Sequence, residues 1–135
     1  MSKNVIAVIP AYNPGSIVID VVKKTLDFVE RVVLVDDGSD DQNKQYLHEC
    51  TEIAGGRLEI ITFASTKGRG YALFRGLERC LELGFDYVVT IDSDGQHNPC
   101  EIPRFKEFVN QDDEPYEIII GTRQQISKMP LRSKI

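Results

Sequence analysis

The chain has 135 residues, enough for one domain with its own core. Hydrophobic residues make up 41% and charged residues 27%, ordinary for a soluble globular protein. A net charge of −5 argues against a general nucleic-acid binder, which carries a basic face. No apolar run is long enough to span a bilayer. Met1 leads within a few residues into a strand-like run without a secretory signal, so the expected location is cytoplasmic. Charge is uneven: Gly121 to Ile135 hold Arg123, Lys128, Arg132 and Lys134 and no acid. Such a tail suits an anionic partner, a phosphate or a membrane surface, although on charge alone a solvated tail is favoured. Cys50, Cys80 and Cys100 are odd in number and lack redox or zinc spacing, so they read as reduced and mostly buried.

Apolar runs alternate with helical patterns. Val5 to Ile9 is a continuous apolar run, as in a strand buried on both faces, and stops at Pro10. Ser16 can cap a helix whose apolar stripe is Val18, Val21, Val22, Leu26 and Val29. Val32 to Val35 is a second strand, ending in Asp36-Asp37-Gly38-Ser39. Ser39 and Gln42 have capping-box spacing before a helix through Leu47 and Cys50, ended by Gly55-Gly56. Leu58 to Ile61 is a third strand, followed by the loop Ser65 to Gly70 and a helix through Leu73, Leu77 and Leu81. Tyr87 to Ile91 is a fourth strand, ending at Asp92-Ser93-Asp94. Asn98 caps and Pro99 opens another helix, and Glu117 to Ile120 is a fifth strand before Gly121-Thr122-Arg123. Alternating strands and helices imply an α/β fold, a mostly parallel, Rossmann-like sheet with helices on both faces. Ligands in such sheets bind at the strands' C-terminal edge, where all the unusual polar clusters fall.

Asp92 and Asp94, two apart at a strand end, can aim the same way. Hard divalent cations take oxygen ligands, and Gln96 could add a carbonyl. The alternative is a strand-end carboxylate capping a turn. Asp36 and Asp37 could accept from a base imino group or a ribose hydroxyl, or serve a helix N-terminus instead; Asp40 and Asp41 suit the latter better. Lys67 and Arg69, among glycines before a helix, suit phosphate, against a tight turn with solvated bases. Tyr12, beside Asn13, could stack on a base, although alone it reads as packing. Arg123 could pair with a phosphate or with a carboxylate of the same edge.

Taken together, Val8 to Asn13, Val35 to Ser39, Lys67 to Ala72, Asp92 to His97 with Pro99, and Gly121 to Arg123 resemble glycosyltransferase family 2. The likeness is greatest to its polyprenyl-phosphate (dolichol-phosphate) sugar transferases. Each piece is weak singly; in this order and spacing they are specific. The resemblance implies the GT-A fold and an inverting transferase that uses a nucleotide-diphospho-sugar, a UDP- or GDP-sugar. It implies that Pro10, Tyr12 and Asp37 line the nucleoside site with Asp36 beside them. It implies that Asp92, Asp94 and Gln96 hold Mg2+ or Mn2+ against the donor diphosphate. Arg123 is similar to the arginine that contacts an acceptor phosphate, and Arg132 is a second candidate with looser alignment. The implied acceptor is a lipid phosphate, whose anionic oxygen needs no general base.

Two departures bear on these expectations. Relatives in the mannosyltransferase group often carry an acid where this chain has Pro14. Family members also continue beyond the position of Ile135 with acceptor-site elements and often membrane helices. The expectation is a single donor-binding domain, residues 1–135, C-terminally truncated and with little transfer activity alone. Membrane association, at a cytoplasmic face, would come through parts absent from the chain, and an unpaired sheet edge leaves a homodimer open. The rival readings fit less well. A haloacid-dehalogenase-like phosphatase carries D-x-D-G after its first core strand, and a receiver-like or other non-catalytic nucleotide-binding module carries its acidic pair there too. A sugar nucleotidylyltransferase needs a glycine-rich loop at that place.

Overall fold

The computed structural model describes residues 5–85, 87–95, 98–111, 118–121 and 126–129. Strands β1 (Val5–Ala11), β2 (Val32–Asp36), β3 (Leu58–Thr62) and β4 (Tyr87–Thr90) form a parallel sheet in the order β3-β2-β1-β4. Helices α1 (Ile17–Leu26), α2 (Asp41–Ala54) and α3 (Arg69–Glu82) alternate with them, as the periodicity predicts.

Every residue of β1 and β2 is buried, because helices cover both faces. Alternation along the strands divides the core. Ala7, Ile9 and Leu34 pack with Val18 and Val22 of α1 and Leu47 of α2. Ile6, Val8, Val33 and Val35 pack on the other face with Ala72 and Cys80 of α3. Helix α3 sits very close to the sheet: a Cβ at Gly76 would lie 2.6 Å from Val8 Cγ1 and 3.2 Å from Val35 Cγ2. Arg79 of α3 donates to both carboxylate oxygens of Glu59 on β3, at 2.7 and 3.1 Å, which holds the Glu59 carboxyl below its ordinary pKa. At the far end of α1, Arg57 donates to the carbonyls of Leu26, Val29 and Glu30, satisfying acceptors that the helix end leaves over.

Several boundaries differ from expectation. Pro10 does not end β1; it pairs with Val35 inside the strand. Ala7 donates to Arg31, so odd residues of β1 turn their N–H toward β2 and even ones toward β4. Pro10, lacking an N–H, thus falls on the β4 side, past the last paired residue Thr90. Ser16 occupies the N-cap position of α1 without a side-chain cap bond. The cap of α2 is Asp40, whose carboxylate accepts from the Asn43 N–H at 2.9 Å. Ser39 cannot complete a capping box with Gln42, since its hydroxyl accepts from the Asn13 N–H instead.

Asn98 and Pro99 open a helical segment as expected, but its first turn, Pro99–Glu101, is 3-10 before α4 (Ile102–Gln111) begins. The anticipated fifth strand is β5 (Ile118–Gly121), and it pairs antiparallel with an unanticipated β6 (Ile126–Met129). Cys50 and Cys80 are buried and Cys100 is exposed. Burial pushes the Cys50 thiol up to about 11 and the Cys80 thiol up to about 12. Among the described residues no helix is long and apolar enough to cross a membrane.

Candidate functional site

Loops leaving the C-terminal ends of β1 to β4 enclose a cleft of about 430 Å³. Its walls are Pro10 to Pro14 after β1, Asp37 after β2, Thr66, Gly68, Arg69 and Ala72 at the start of α3, and Ser93 and Asp94 after β4. In the order β3-β2-β1-β4, successive strands run outward one way from β1 and then resume on its other side. That reversal makes the ends of β1 and β4 the topological switch point, where open α/β sheets leave a ligand crevice. Pro10 to Pro14 and Ser93-Asp94 stand there.

Tyr12 is 56% exposed on this cleft. It is therefore a wall of the cleft and not a packed core ring, contrary to the reading from its sequence alone. The adjacent Asn13 has φ +45°, a left-handed conformation that asparagine tolerates better than most residues. Its N–H donates to Ser39 Oγ and its Oδ1 accepts from the Asp40 N–H, each at 2.9 Å. Asn43 Oδ1 accepts from the Gly15 N–H at 2.7 Å. These bonds lace the loop after β1 to the start of α2 and fix the backbone beneath Tyr12. Sequence analysis assigns neither Asn43 nor Ser39 this job; asparagine's tolerance of the left-handed region at Asn13 is the signal that could point to it.

The two acids after β2 diverge. Asp36, 1% exposed, does not reach the cleft: Oδ1 accepts from the Ser39 N–H at 2.9 Å, and Oδ2 pairs with Lys44 Nζ at 3.3 Å. Asp37 does line the cleft, yet its carboxylate clamps the loop before α3. Oδ1 accepts from the Lys67 N–H at 2.7 Å, while Oδ2 accepts from Thr66 Oγ1 at 2.9 Å and the Gly68 N–H at 3.0 Å. It thus serves a helix N-terminus, but that of α3, not α2. Gly38 lets the two loops meet: φ is +78°, and a Cβ would lie 2.7 Å from the Thr66 nitrogen.

The same clamp engages the loop that carries Lys67. The amides of Lys67 and Gly68 are spent on Asp37, and the Lys67 ammonium stands 5.7 Å from the Tyr71 ring centroid. Lys67 is not part of the cleft wall, whereas Arg69, the first residue of α3, is. Its guanidinium pairs with Asp92, two residues past the end of β4. Asp92 has only 14% of its side chain exposed and Arg69 has 65%. Residues 92–94 turn away from the sheet, since β4 ends at Thr90, one residue earlier than expected. Asp94 is exposed on the cleft wall. Gln96, Arg123 and Arg132 lie outside the described residues.

Among the described residues no three His, Cys, Asp or Glu side chains gather as a metal cluster. Asp92 and Asp94 nonetheless offer hard oxygen donors two residues apart after β4, Asp94 on the cleft wall and Asp92 paired with the Arg69 guanidinium. That donor set fits a hard divalent cation completed by ligand oxygens.

The sequence matches the model of "Glycosyl transferase family 2" over residues 6–134. It is 30% identical to the UDP-N-acetylglucosamine–dolichyl-phosphate N-acetylglucosaminyltransferase of Methanococcus voltae, across 98% of this chain and 59% of that one. It is 31% identical to the undecaprenyl-phosphate 4-deoxy-4-formamido-L-arabinose transferase of Edwardsiella ictaluri, across 87% of this chain and 36% of that one. The chain therefore spans less than two thirds of these relatives' length. Among solved structures it resembles S. aureus TarS with a TM-score of 0.63, at 21% identity and covering 81% of this chain and 33% of that one. It also resembles Mycobacterium tuberculosis glucosyl-3-phosphoglycerate synthase, in complex with Mn2+, UDP and glucosyl-3-phosphoglycerate, with a TM-score of 0.56 at 23% identity. That likeness covers 75% of this chain and 37% of that one. The match along nearly all of the sequence and the shared parallel-sheet architecture lead to one assignment: the chain has the GT-A fold and belongs to glycosyl transferase family 2.

Proposed function

We propose that this chain is the donor-binding domain of a transferase that moves a sugar from a nucleotide-diphospho-sugar to a polyprenyl phosphate. The observation that carries the reading is convergence. Pro10, Tyr12, Asp37, Arg69 and Asp94, assigned from sequence to nucleoside, phosphate and cation, all line one cleft. The acceptor class is supported by the M. voltae and E. ictaluri relatives, whose names specify dolichyl and undecaprenyl phosphates. The M. tuberculosis neighbour, held with Mn2+ and UDP, supports the donor chemistry. The phosphatase and receiver alternatives find no support: the D-x-D-G follows the fourth strand and the acidic pair follows the second.

In this reading Tyr12 stacks on the base beside Pro10, and Arg69 takes the diphosphate. Asp92 and Asp94, with Gln96 two residues on, would hold Mg2+ or Mn2+. The cation would offset charge on the leaving nucleoside diphosphate. The acceptor phosphate, contacted by Arg123 and Arg132, attacks the anomeric carbon in line, with inversion. Its oxygen is already anionic, so no side chain need remove a proton. A lipid-phosphate acceptor places the reaction at a membrane surface, at its cytoplasmic face. Pairing through the outer edge of β3 would make a homodimer.

Calorimetry of the chain with UDP and with GDP, with and without Mn2+, tests the reading. One nucleotide should bind in a metal-dependent way, and Asp94→Ala should weaken that binding at least about ten-fold, the scale of one lost charge-assisted contact. Equal affinity in the variant would sink the assignment.

A further inference from the structure

We propose that the outward face of α3 pairs, antiparallel, with the same face of a second copy of this chain. Three large apolar side chains left exposed among the described residues stand on α3: Tyr71 is 51% exposed, Phe74 62% and Leu81 76%. Phe74 and Leu81 are two turns apart and lie on one line along the helix. That line is opposite Ala72, Gly76 and Cys80, which are buried against the sheet. An apolar line at this spacing is what one helix offers another.

Charge along α3 selects the occupant. From Lys67 to Leu77 the sequence holds Lys67, Arg69 and Arg75 and no acid, and Glu78 and Glu82 follow. Both acids are half exposed, whereas Arg79 beside them is turned in to Glu59. This order runs against the helix dipole, which favours acids at the N-terminal end. Arg75 keeps Glu78 and Glu82 of its own helix at 3.2 and 3.7 Å, with the base N-terminal to the acids, the weaker order. A second α3 running the other way corrects this, because its acidic half lies against the basic half of the first. At about 100° per residue, Arg75, Glu78 and Glu82 fall on one flank of the Phe74–Leu81 line and Leu77 on the other. Like flanks meet in an antiparallel pair. With Phe74 set against the partner's Leu81, Arg75 stands level with the space between the partner's Glu78 and Glu82. Two-fold symmetry repeats the contact in reverse. One face of a 14-residue helix, about 21 Å long, is smaller than the roughly 800 Å² per partner of a standard interface. The dimer is therefore dissociable, with a Kd of about 10–100 μM. Arg69 and Ala72 line the cleft from the N-terminal end of α3, so this pairing sets the two clefts at opposite ends of the contact. It is independent of the donor-binding reading, and it uses a different surface from the outer edge of β3.

Sedimentation equilibrium of the full chain from about 5 to 500 μM, a range spanning that Kd, tests the proposal. Wild type should show a monomer–dimer equilibrium. Leu81→Gln should weaken the dimer about 30-fold or more, since each dimer buries that side chain twice. Arg75→Glu and Glu82→Arg should each weaken it about five-fold, by setting like charges across the contact. An equimolar mixture of those two variants should recover wild-type association, because in their mixed antiparallel dimer each base again meets an acid. All three substitutions are at solvent-facing positions, and far-UV circular dichroism should match wild type. A wild type that stays monomeric throughout would leave the face to another protein and overturn the proposal. So would a dimer indifferent to Leu81→Gln, as one joined through the edge of β3 would be. A mixture as monomeric as its two components would overturn it as well.

Discussion

Gly76→Ala sets two effects of opposite sign against each other. In an exposed helix interior the change stabilises by up to about 1 kcal/mol, because alanine loses less backbone entropy than glycine. At this position the new methyl would lie 2.6 Å from Val8 Cγ1 and 3.2 Å from Val35 Cγ2. Carbon atoms pack at about 3.5–4.0 Å, so roughly 1 Å must be found. Val8 and Val35 are fully buried on adjacent strands, and valine is stiff about χ1, so neither can turn aside cheaply. Overpacking of this kind costs about 1–3 kcal/mol. A mid-range cost of about 2 kcal/mol, less the gain of up to about 1 kcal/mol, leaves a net loss of about 1–2 kcal/mol. Urea denaturation of wild type, Gly76→Ala and the control Gly70→Ala measures it. Gly70 lies in the same helix with nothing within 4 Å of its virtual Cβ, so its substitution should be neutral or stabilising. A Gly76→Ala protein as stable as wild type would show that α3 is not held against the sheet as described. If Arg69 takes the diphosphate as proposed, a shift of α3 carries it along, and an error of about 1 Å at such a group is enough to weaken binding.

Two further outcomes can be checked. Asp37→Asn places an NH2 group opposite either the Lys67 N–H or the Thr66 and Gly68 donors. With two donors facing each other at a buried site, stability should fall by about 2–3 kcal/mol in urea denaturation, and a loss under about 0.5 kcal/mol would show that the clamp does not form. The cysteines give a chemical readout. With Cys50 pushed up to about 11 and Cys80 up to about 12, both by burial, those thiols stay protonated and unreactive at pH 8. Iodoacetamide should therefore add to Cys100 alone in the native chain and to all three cysteines in denaturant, as read by mass spectrometry; native labelling of Cys50 or Cys80 would contradict the packing of α2 and α3.

What could be read in advance was whatever repeats with a period. The runs Val5 to Ile9 and Val32 to Val35 announced doubly covered strands, and the parallel sheet followed from their alternation with helices. The convergence of Tyr12, Arg69 and Asp94 also followed, because parallel strands deliver their C-terminal ends to one edge. Hydrogen-bond choices among neighbouring polar residues were not legible. Ser39 and Asp40 are both good caps, and the contest was decided by Asn13, 26 residues away from Ser39, which claims the serine hydroxyl. The loop from Lys67 looked like a phosphate cradle by composition, yet composition cannot say that Asp37 would reach its amides first. Pro10 misled for a related reason: a proline ends a strand only where a partner needs its N–H, and β4 stops short of it.

The clamp by Asp37 also limits what that residue can do for a nucleoside. A carboxylate has about four lone-pair sites, two on each oxygen. Oδ2 already accepts from Thr66 and Gly68, and Oδ1 accepts from Lys67, leaving one site on Oδ1. Asp37 can then accept from one imino N–H or one ribose hydroxyl, and not from both through separate oxygens. Asp36 cannot supply the missing acceptor, since it is buried and bonded to Ser39 and Lys44. Pro14, also on the cleft wall, brings no acid. Under the proposed function, recognition of a nucleoside by the described residues would lean on the exposed ring of Tyr12 and on the backbone of the loop that Asn13 fixes. Stacking tolerates many bases, so among the described residues a choice between them would fall to that single remaining lone pair and to backbone groups beside it.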